Sequence, residues 1–559
     1  MRRFASLALV LALSEPATAQ SSTRPADLII TNARIYTVDD SRPVVSAMAV
    51  RDGRVAFTGS VREAMALKGA NTRVLDLKGR TIIPGMVDAH AHLLGLGQAL
   101  RTVNLVGTKS YDEVIARVVT QAKGVAAGKW ILGRGWDQNQ WGDTRFPTHD
   151  ALSRALPNNP VFLERVDGHA QLANAAAMKA AGITAATKDP SGGRLERSAT
   201  GDPTGVFVDN AMELVNRVIP PSTREEDRLA IKGAIAESQK WGLVGLHDAG
   251  ESRATIDLVE DMAKSGDIPF RLYMMISDDS AAVAHYLARG PQSALYDNHL
   301  WIRAIKLYAD GALGSRGAAL LEPYSDDAKN NGLLLSPPAH LQDVATRALR
   351  AGFQVNTHAI GDRGNRIVLD AYTAALKAVP TADHRFRIEH AQIINHDDIP
   401  RFADLGVIPS MQAVHQTSDM YWAGTRLGPT RLLGAYPWRS LLNTGIVIPN
   451  GSDAPVESIN PLFSFHSAVS RQDADNWPAG GWFPEQKMTR DEALKSMTIW
   501  PAFAAFQEAT MGSLTPGKLA DFVILDRDIM TVADRDILGT MIVATYIGGK
   551  AVYERAMLP

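Results

Sequence analysis

Short apolar runs rich in Val, Ile and Leu alternate with helix-length amphipathic segments through the middle of this chain. Runs of that kind read as buried strands, and strands alternating with helices read as β/α units of a parallel sheet. Strands are predicted at 81–87, 243–247, 270–276, 302–308, 353–358, 386–390, 407–412 and 446–453. Helices are predicted between them, for example over 222–240 and 341–350. Eight such repeats in series predict an α/β fold, a (β/α)8 TIM barrel. A doubly wound sheet would open with Gly-x-Gly-x-x-Gly after its first strand, and that pattern is missing here.

The two ends read differently. Residues 27–38 and 72–77 are strand-like, and 46–59 form two strands around Asp52-Gly53, a hairpin signal. At the far end, 520–525, 541–547 and 550–553 are also strand-like. Neither set has enough chain for its own core, so one small β-sandwich is expected from residues 26–80 and 508–559. The barrel would then occupy 81–507, with a long insertion over about 94–240 after its first strand. Within that insertion, 130–136 and 161–165 look like strands and 172–181 like a helix.

Composition narrows the class. With 45% hydrophobic and 21% charged residues the chain is a globular protein, and 559 residues exceed one simple core. A net charge of -2 and the lack of a long Lys/Arg run argue against a nucleic-acid partner. Arg2-Arg3, an apolar run over 4–13 and Ala17-Thr-Ala19 follow the order of a signal peptide over 1–19, cleaved near Ala19. That run is too short for a transmembrane segment, so a secreted or periplasmic protein is expected. Without any Cys, thiolate metal sites and Cys nucleophiles are excluded.

The polar residues fall where the predicted strands stop. Asp88, His90 and His92 close the first, and an i, i+2 pair on an extended segment points to one side. Lys306 and Asp310 follow the fourth, His358 the fifth, Glu389-His390 the sixth, Gln412 the seventh and Ser452-Asp453 the eighth. In a barrel these ends converge on the catalytic face. Neutral imidazoles and carboxylates meeting there suit a Zn-type ion.

These residues resemble the amidohydrolase superfamily, and within it the amidohydrolase-3 or YtcJ-like branch, which includes N-substituted formamide deformylases. The matching pieces are Pro84-Gly-Met-Val-Asp-Ala-His-Ala-His92, Ile305-Lys-Leu-Tyr-Ala-Asp310, Thr357-His-Ala-Ile-Gly-Asp362, Ile388-Glu-His-Ala-Gln392 and Gly451-Ser-Asp-Ala-Pro455, with Gly133-Arg-Gly-Trp-Asp137 and Asp167-Gly-His-Ala170 from the insertion. The resemblance implies a metal centre in which His90 and His92 hold one ion and His358 and His390 a second. Lys306 matches the position that some members carboxylate, because a free ammonium has donors alone and cannot ligate a cation. Asp453 would bind the first ion and serve as general acid and base for a water that the metal activates. One or two Zn ions are expected, two if Lys306 is carboxylated.

Residues on loops past the strands are candidates for substrate binding: Trp136 and His169 in the insertion, Arg316, Gln392, Gln412 and Trp422. The aromatic members suggest a small-molecule amide with an apolar or aromatic portion. The expected activity is hydrolysis of a non-peptide C–N bond in an N-acyl or N-formyl amide. The alternatives are a cyclic-amide hydrolase, a ring deaminase, or a periplasmic binding protein without catalysis. A homodimer is the assembly considered.

Overall fold

A computed structural model describes residues 24–556, so the leader predicted over 1–19 lies outside the described residues. Seven parallel strands form the central sheet: β1 Met86–Ala91, β2 Leu243–Glu251, β3 Arg271–Ile276, β4 Leu300–Tyr308, β5 Gln354–Ala359, β6 Arg387–His390 and β7 Ile408–Ser410. They are largely apolar, and most of their residues share one apolar cluster with the helices packed around them, Ala249, Tyr273, Met275, Trp301 and Ala304 falling in a second. Helix Arg224–Lys240 begins at Thr223, whose hydroxyl and Glu226 form a reciprocal capping box before β2.

The eighth strand expected over 446–453 is not a regular strand. The segment nonetheless bridges β7 and β1. Met411 donates its N–H to Pro449 O at 3.0 Å and Gly451 donates to Met411 O at 3.0 Å. On the other side Ala89 donates to Asn450 O at 3.2 Å and Asp453 to His90 O at 2.7 Å. Two features displace the ordinary ladder. The Asp88 carboxylate takes the Ser452 N–H at 3.0 Å, and Gly451 sits so close that a Cβ there would lie 2.5 Å from His90 N.

The first barrel strand also departs from expectation. The run 81–87 divides at Gly85. Thr81–Pro84 pairs with Arg34–Tyr36 and Phe522–Leu525 in a sheet built from the chain ends, and Met86–Ala91 enters the barrel. At the break the backbone of Gly85 lies against Val244, whose Cγ1 would be 2.5 Å from an added Cβ.

The ends form two sheets. One is four-stranded and wholly N-terminal, in the order Arg54–Gly59, Ala47–Arg51, Leu28–Thr31, Arg73–Asp76. The other has six strands and mixes both ends. Ile30, Met48 and Val50 of the first share an apolar cluster with Ile35, Phe522, Ile524 and Tyr546 of the second. Asp52 and Gly53 both take positive φ (51° and 72°), as a tight hairpin turn requires.

The insertion is a separate mixed sheet of six strands, in the order Gly193–Arg197, Pro203–Asp209, Ala170–Ala173, Val161–Arg165, Ile131–Trp136, Val103–Asn104. Helix was expected over 172–181, but it begins only at Ala175, because Asn174 caps it by accepting the Ala177 N–H at 2.9 Å. No helix among the described residues is long and apolar enough to cross a membrane.

Candidate metal centre

The carboxyl ends of the barrel strands bring the predicted histidines together. Ring centroids of His358 and His390 are 4.5 Å apart, those of His90 and His390 4.8 Å, and those of His90 and His92 5.6 Å. Asp453 joins them, with Oδ1 3.1 Å from His92 Nε2 and 3.5 Å from His90 Nε2. Lys306 Nζ lies 3.3 Å from His90 Nε2. Two of these residues stand on unusual backbone, with φ +71° at His390 and +60° at Asp453. Alternation along β6 would send Glu389 and His390 to opposite faces. The positive φ at His390 and Ala391 turns the chain, and both side chains reach this interior.

Charge states follow from surroundings. Burial, with Lys306 adding to it, pulls His90 down to about 4. Burial likewise holds His358 and His390 well below the ordinary imidazole range. For Asp453 burial favours the neutral acid, but the His92 hydrogen bond and the neighbouring imidazoles outweigh it and keep the carboxylate ionised. Burial brings Lys306 down to about 8. His90, His390 and Asp453 each offer a donor atom within 4.8 Å of the others, all three side chains buried. Neutral imidazoles beside an ionised carboxylate, with no competing thiol in the chain, fit a divalent cation.

The supporting roles around the centre were not read from the sequence, although Glu389 and Asp310 were seen at strand ends. Glu389 hydrogen-bonds His90 Nδ1 and is itself held by Arg387, whose Nε lies 2.7 Å from Glu389 Oε1. That fixes the His90 ring and leaves Nε2 for the centre, the usual job of a carboxylate behind a metal-binding histidine. Arg387 and His90 hold Glu389 down at about 2 against the effect of burial. Asp310 does not pair with Lys306; its carboxylate accepts the backbone N–H groups of Ala319, Ile360 and Gly361 at 2.8–2.9 Å. His415 also faces the centre, with Nε2 3.7 Å from Asp453 Oδ2. The signal for Glu389 was its place beside His390 at a strand end.

The centre opens into a cleft of about 1480 Å³ between the barrel mouth and the insertion. Of the six residues predicted to bind substrate, His169 lines it. Its Nδ1 lies 2.6 Å from Asp209 Oδ1. Burial lowers the His169 pKa, but that hydrogen bond and the Asp209 charge raise it to about 9. The other five are placed differently. Trp136 is fully buried in the insertion, donating Nε1–H to Leu163 O at 2.7 Å and packing on Trp141 and Phe146. Arg316 is paired with Asp326 at 2.9 Å. Gln392 donates to Asp419 at 2.6 Å and to Tyr436. Gln412 accepts from His390 Nδ1 at 2.8 Å, so it orients that imidazole. Trp422 packs against the barrel core, 5.6 Å from the Arg426 guanidinium.

Comparison with known proteins now decides the family. Residues 73–553 match the model of the Amidohydrolase family. The chain belongs to the amidohydrolase family. It is 30% identical over 552 residues to the N-substituted formamide deformylase of Arthrobacter pascens, covering 95% of this chain and 99% of that protein. It is 35% identical over 553 residues to the Protein LONG AFTER FAR-RED 3 of Arabidopsis thaliana, covering 96% and 94%. A solved structure of an uncharacterized metal-dependent hydrolase from Pyrococcus horikoshii superposes with a TM-score of 0.73 at 27% identity, over 91% of this chain and 99% of that one. As an amidohydrolase the protein is a hydrolase acting on carbon–nitrogen bonds.

Proposed function

We propose that this amidohydrolase hydrolyses an N-acyl or N-formyl amide of a small molecule, releasing an amine and a carboxylic acid. One observation carries the reading: the Asp453 carboxylate sits among His90, His92 and His390 in an open cleft. His90, His92 and Asp453 would hold a first divalent ion, with zinc favoured by an imidazole and carboxylate donor set. His358, His390 and a carboxylated Lys306 would hold a second. When bound, such an ion supplies Lewis acidity towards a carbonyl oxygen and acidifies water.

The chain's own residues do the rest. Asp453 takes a proton from the attacking water on its carboxylate and returns it to the departing nitrogen, so the amine leaves neutral. Glu389 and Gln412 hold His90 and His390 in fixed orientation. The relatedness to a formamide deformylase supports an amide over a ring carbon as the reacting group. Export, expected from residues 1–19, is part of the same proposal and is checked by cell fractionation.

The test is a panel of N-formyl and N-acyl amides offered to zinc-loaded protein, with released amine measured by fluorescamine. Release from at least one member, abolished by chelator, is expected. Fully zinc-loaded protein that frees no amine from any member would overturn the reading.

A further inference from the structure

One side chain of the insertion that the mechanism above leaves idle stands beside the metal centre. His169 follows Val161–Arg165 on the connection to Ala170–Ala173, and its ring centroid lies 5.2 Å from that of His358. It lines the same cleft as His90, Lys306 and Asp453. Behind it stands Asp209, the last residue of strand Pro203–Asp209, with its carboxylate buried. The two are also joined along the backbone, Asp209 N–H donating to His169 O at 3.0 Å.

Three features mark this pair as more than an incidental contact. Asp209 takes φ +50° and ψ −128°, a conformation that a residue with a side chain adopts only when its surroundings impose it. The surroundings are two glycines on the barrel loop after β4. A Cβ on Gly311 would lie 2.7 Å from Asp209 Oδ2, and one on Gly317 2.5 Å from it. Asp209 Oδ2 has no hydrogen-bond partner in the protein, so the carboxylate's satisfied oxygen is the one given to His169. A brace between two parts of a fold would be expected to use both oxygens.

We propose that Asp209 and His169 form a carboxylate–imidazole dyad that the insertion contributes to the active site. His169 Nε2 hydrogen-bonds the amide group of bound substrate, and Asp209 is the positioning residue. Asp209 accepts a hydrogen bond from Nδ1, so Nδ1 carries a hydrogen and Nε2 is the nitrogen turned to the cleft. The dyad adds no covalent step. It fixes where the amide lies relative to Asp453, and an insertion folded apart from the barrel thereby becomes part of the reaction site. The inference rests on the proposed amide chemistry for what Nε2 touches, but not for the dyad itself.

Two measurements separate these. The first uses zinc-loaded protein labelled with 15N-imidazole histidine, the His169 signals being those lost in His169→Gln. A hydrogen on Nδ1 that persists in Asp209→Asn and is lost in Asp209→Ala is expected. An Nε2–H neutral tautomer in the wild type overturns the dyad, whatever the substrate. The second is calorimetry with acetohydroxamate, a small probe with the carbonyl and N–H of an amide. His169→Gln should weaken its binding about tenfold, as for loss of one hydrogen bond in a charged site, with zinc content and Tm unchanged. Equal affinity in His169→Gln, or a loss that tracks zinc or Tm, makes His169 a brace and overturns the proposal. Failure of the wild type itself to bind acetohydroxamate or to release amine would count against the amide reading, and the tautomer then decides the dyad.

Discussion

The barrel and the insertion are both sheets packed by helices, yet they spend their side chains in opposite ways. In the barrel, the strands are largely apolar and the candidate metal donors gather at their carboxyl ends, so chemistry collects at one rim. In the insertion the two faces of the sheet are both apolar: Trp136, Leu163 and Val206 lie in one cluster, Phe162, Phe207 and Leu195 in another. Its buried arginine is held by partners within the insertion itself. Arg165 is almost fully buried, binding Gln138 at 2.8 Å and Asp167 at 2.5 Å along with Asp137. The lesson concerns aromatic residues. A tryptophan on a loop-rich insertion advertises substrate contact only if the insertion has no core of its own to fill.

That contrast can be broken at either region. Replacing Asp453 by Asn should lower amide turnover by about 10³-fold while far-UV circular dichroism stays unchanged. Turnover within tenfold of wild type would take the chemistry away from the barrel rim. Trp136→Ala should cost about 3–5 kcal/mol of stability in urea unfolding, with KM of the folded enzyme unaltered. A raised KM at undiminished stability would return Trp136 to the substrate.

Glu389→Gln should weaken zinc affinity by about 10–100-fold, read by competition with a chelating dye. Unchanged affinity would mean that the His90 ring needs no support. The smallest effect lies at the ion pair between helices Trp438–Leu442 and Arg490–Ser496. Arg439, with the Thr489 amide helping against partial burial, holds Glu492 down at about 2 from its ordinary 4.5. A depressed carboxyl contributes stability above its unfolded pKa and loses it as pH falls towards the folded value. The Glu492→Gln variant should therefore differ from wild type in urea stability at pH 6, and the gap should close between pH 4.5 and pH 2. A gap that stays constant over that window would show that Glu492 contributes through its shape alone.

The barrel strands were legible because burial on both faces writes them as unbroken apolar runs, and their ends because polar residues interrupt those runs abruptly. The closing segment was harder to read, since 446–448 look like a strand, but Pro449 has no N–H and Asp88 captures the Ser452 amide. The division at Gly85 was hidden for a similar reason: one apolar run serves two sheets in succession. Among the site residues, donors at strand ends could be found by type and position. Glu389 and Gln412 were visible as polar residues at strand ends, but not as partners of particular imidazoles, because which ring each one meets depends on strand order and on the φ of His390. Asp209 gave no signal, since its importance lies in a backbone angle and in two glycines about a hundred positions away (counted from the numbering).

The division at Gly85 also sets an order of assembly. The strand bearing His90 continues directly from Thr81–Pro84, whose neighbour Phe522–Leu525 is translated after the last barrel strand. A ribosome that has finished the barrel has therefore still not made the support under the first two histidines. Nascent chains arrested before Phe522 are expected to retain no added zinc through gel filtration, and chains that include the Phe522–Leu525 strand to retain it.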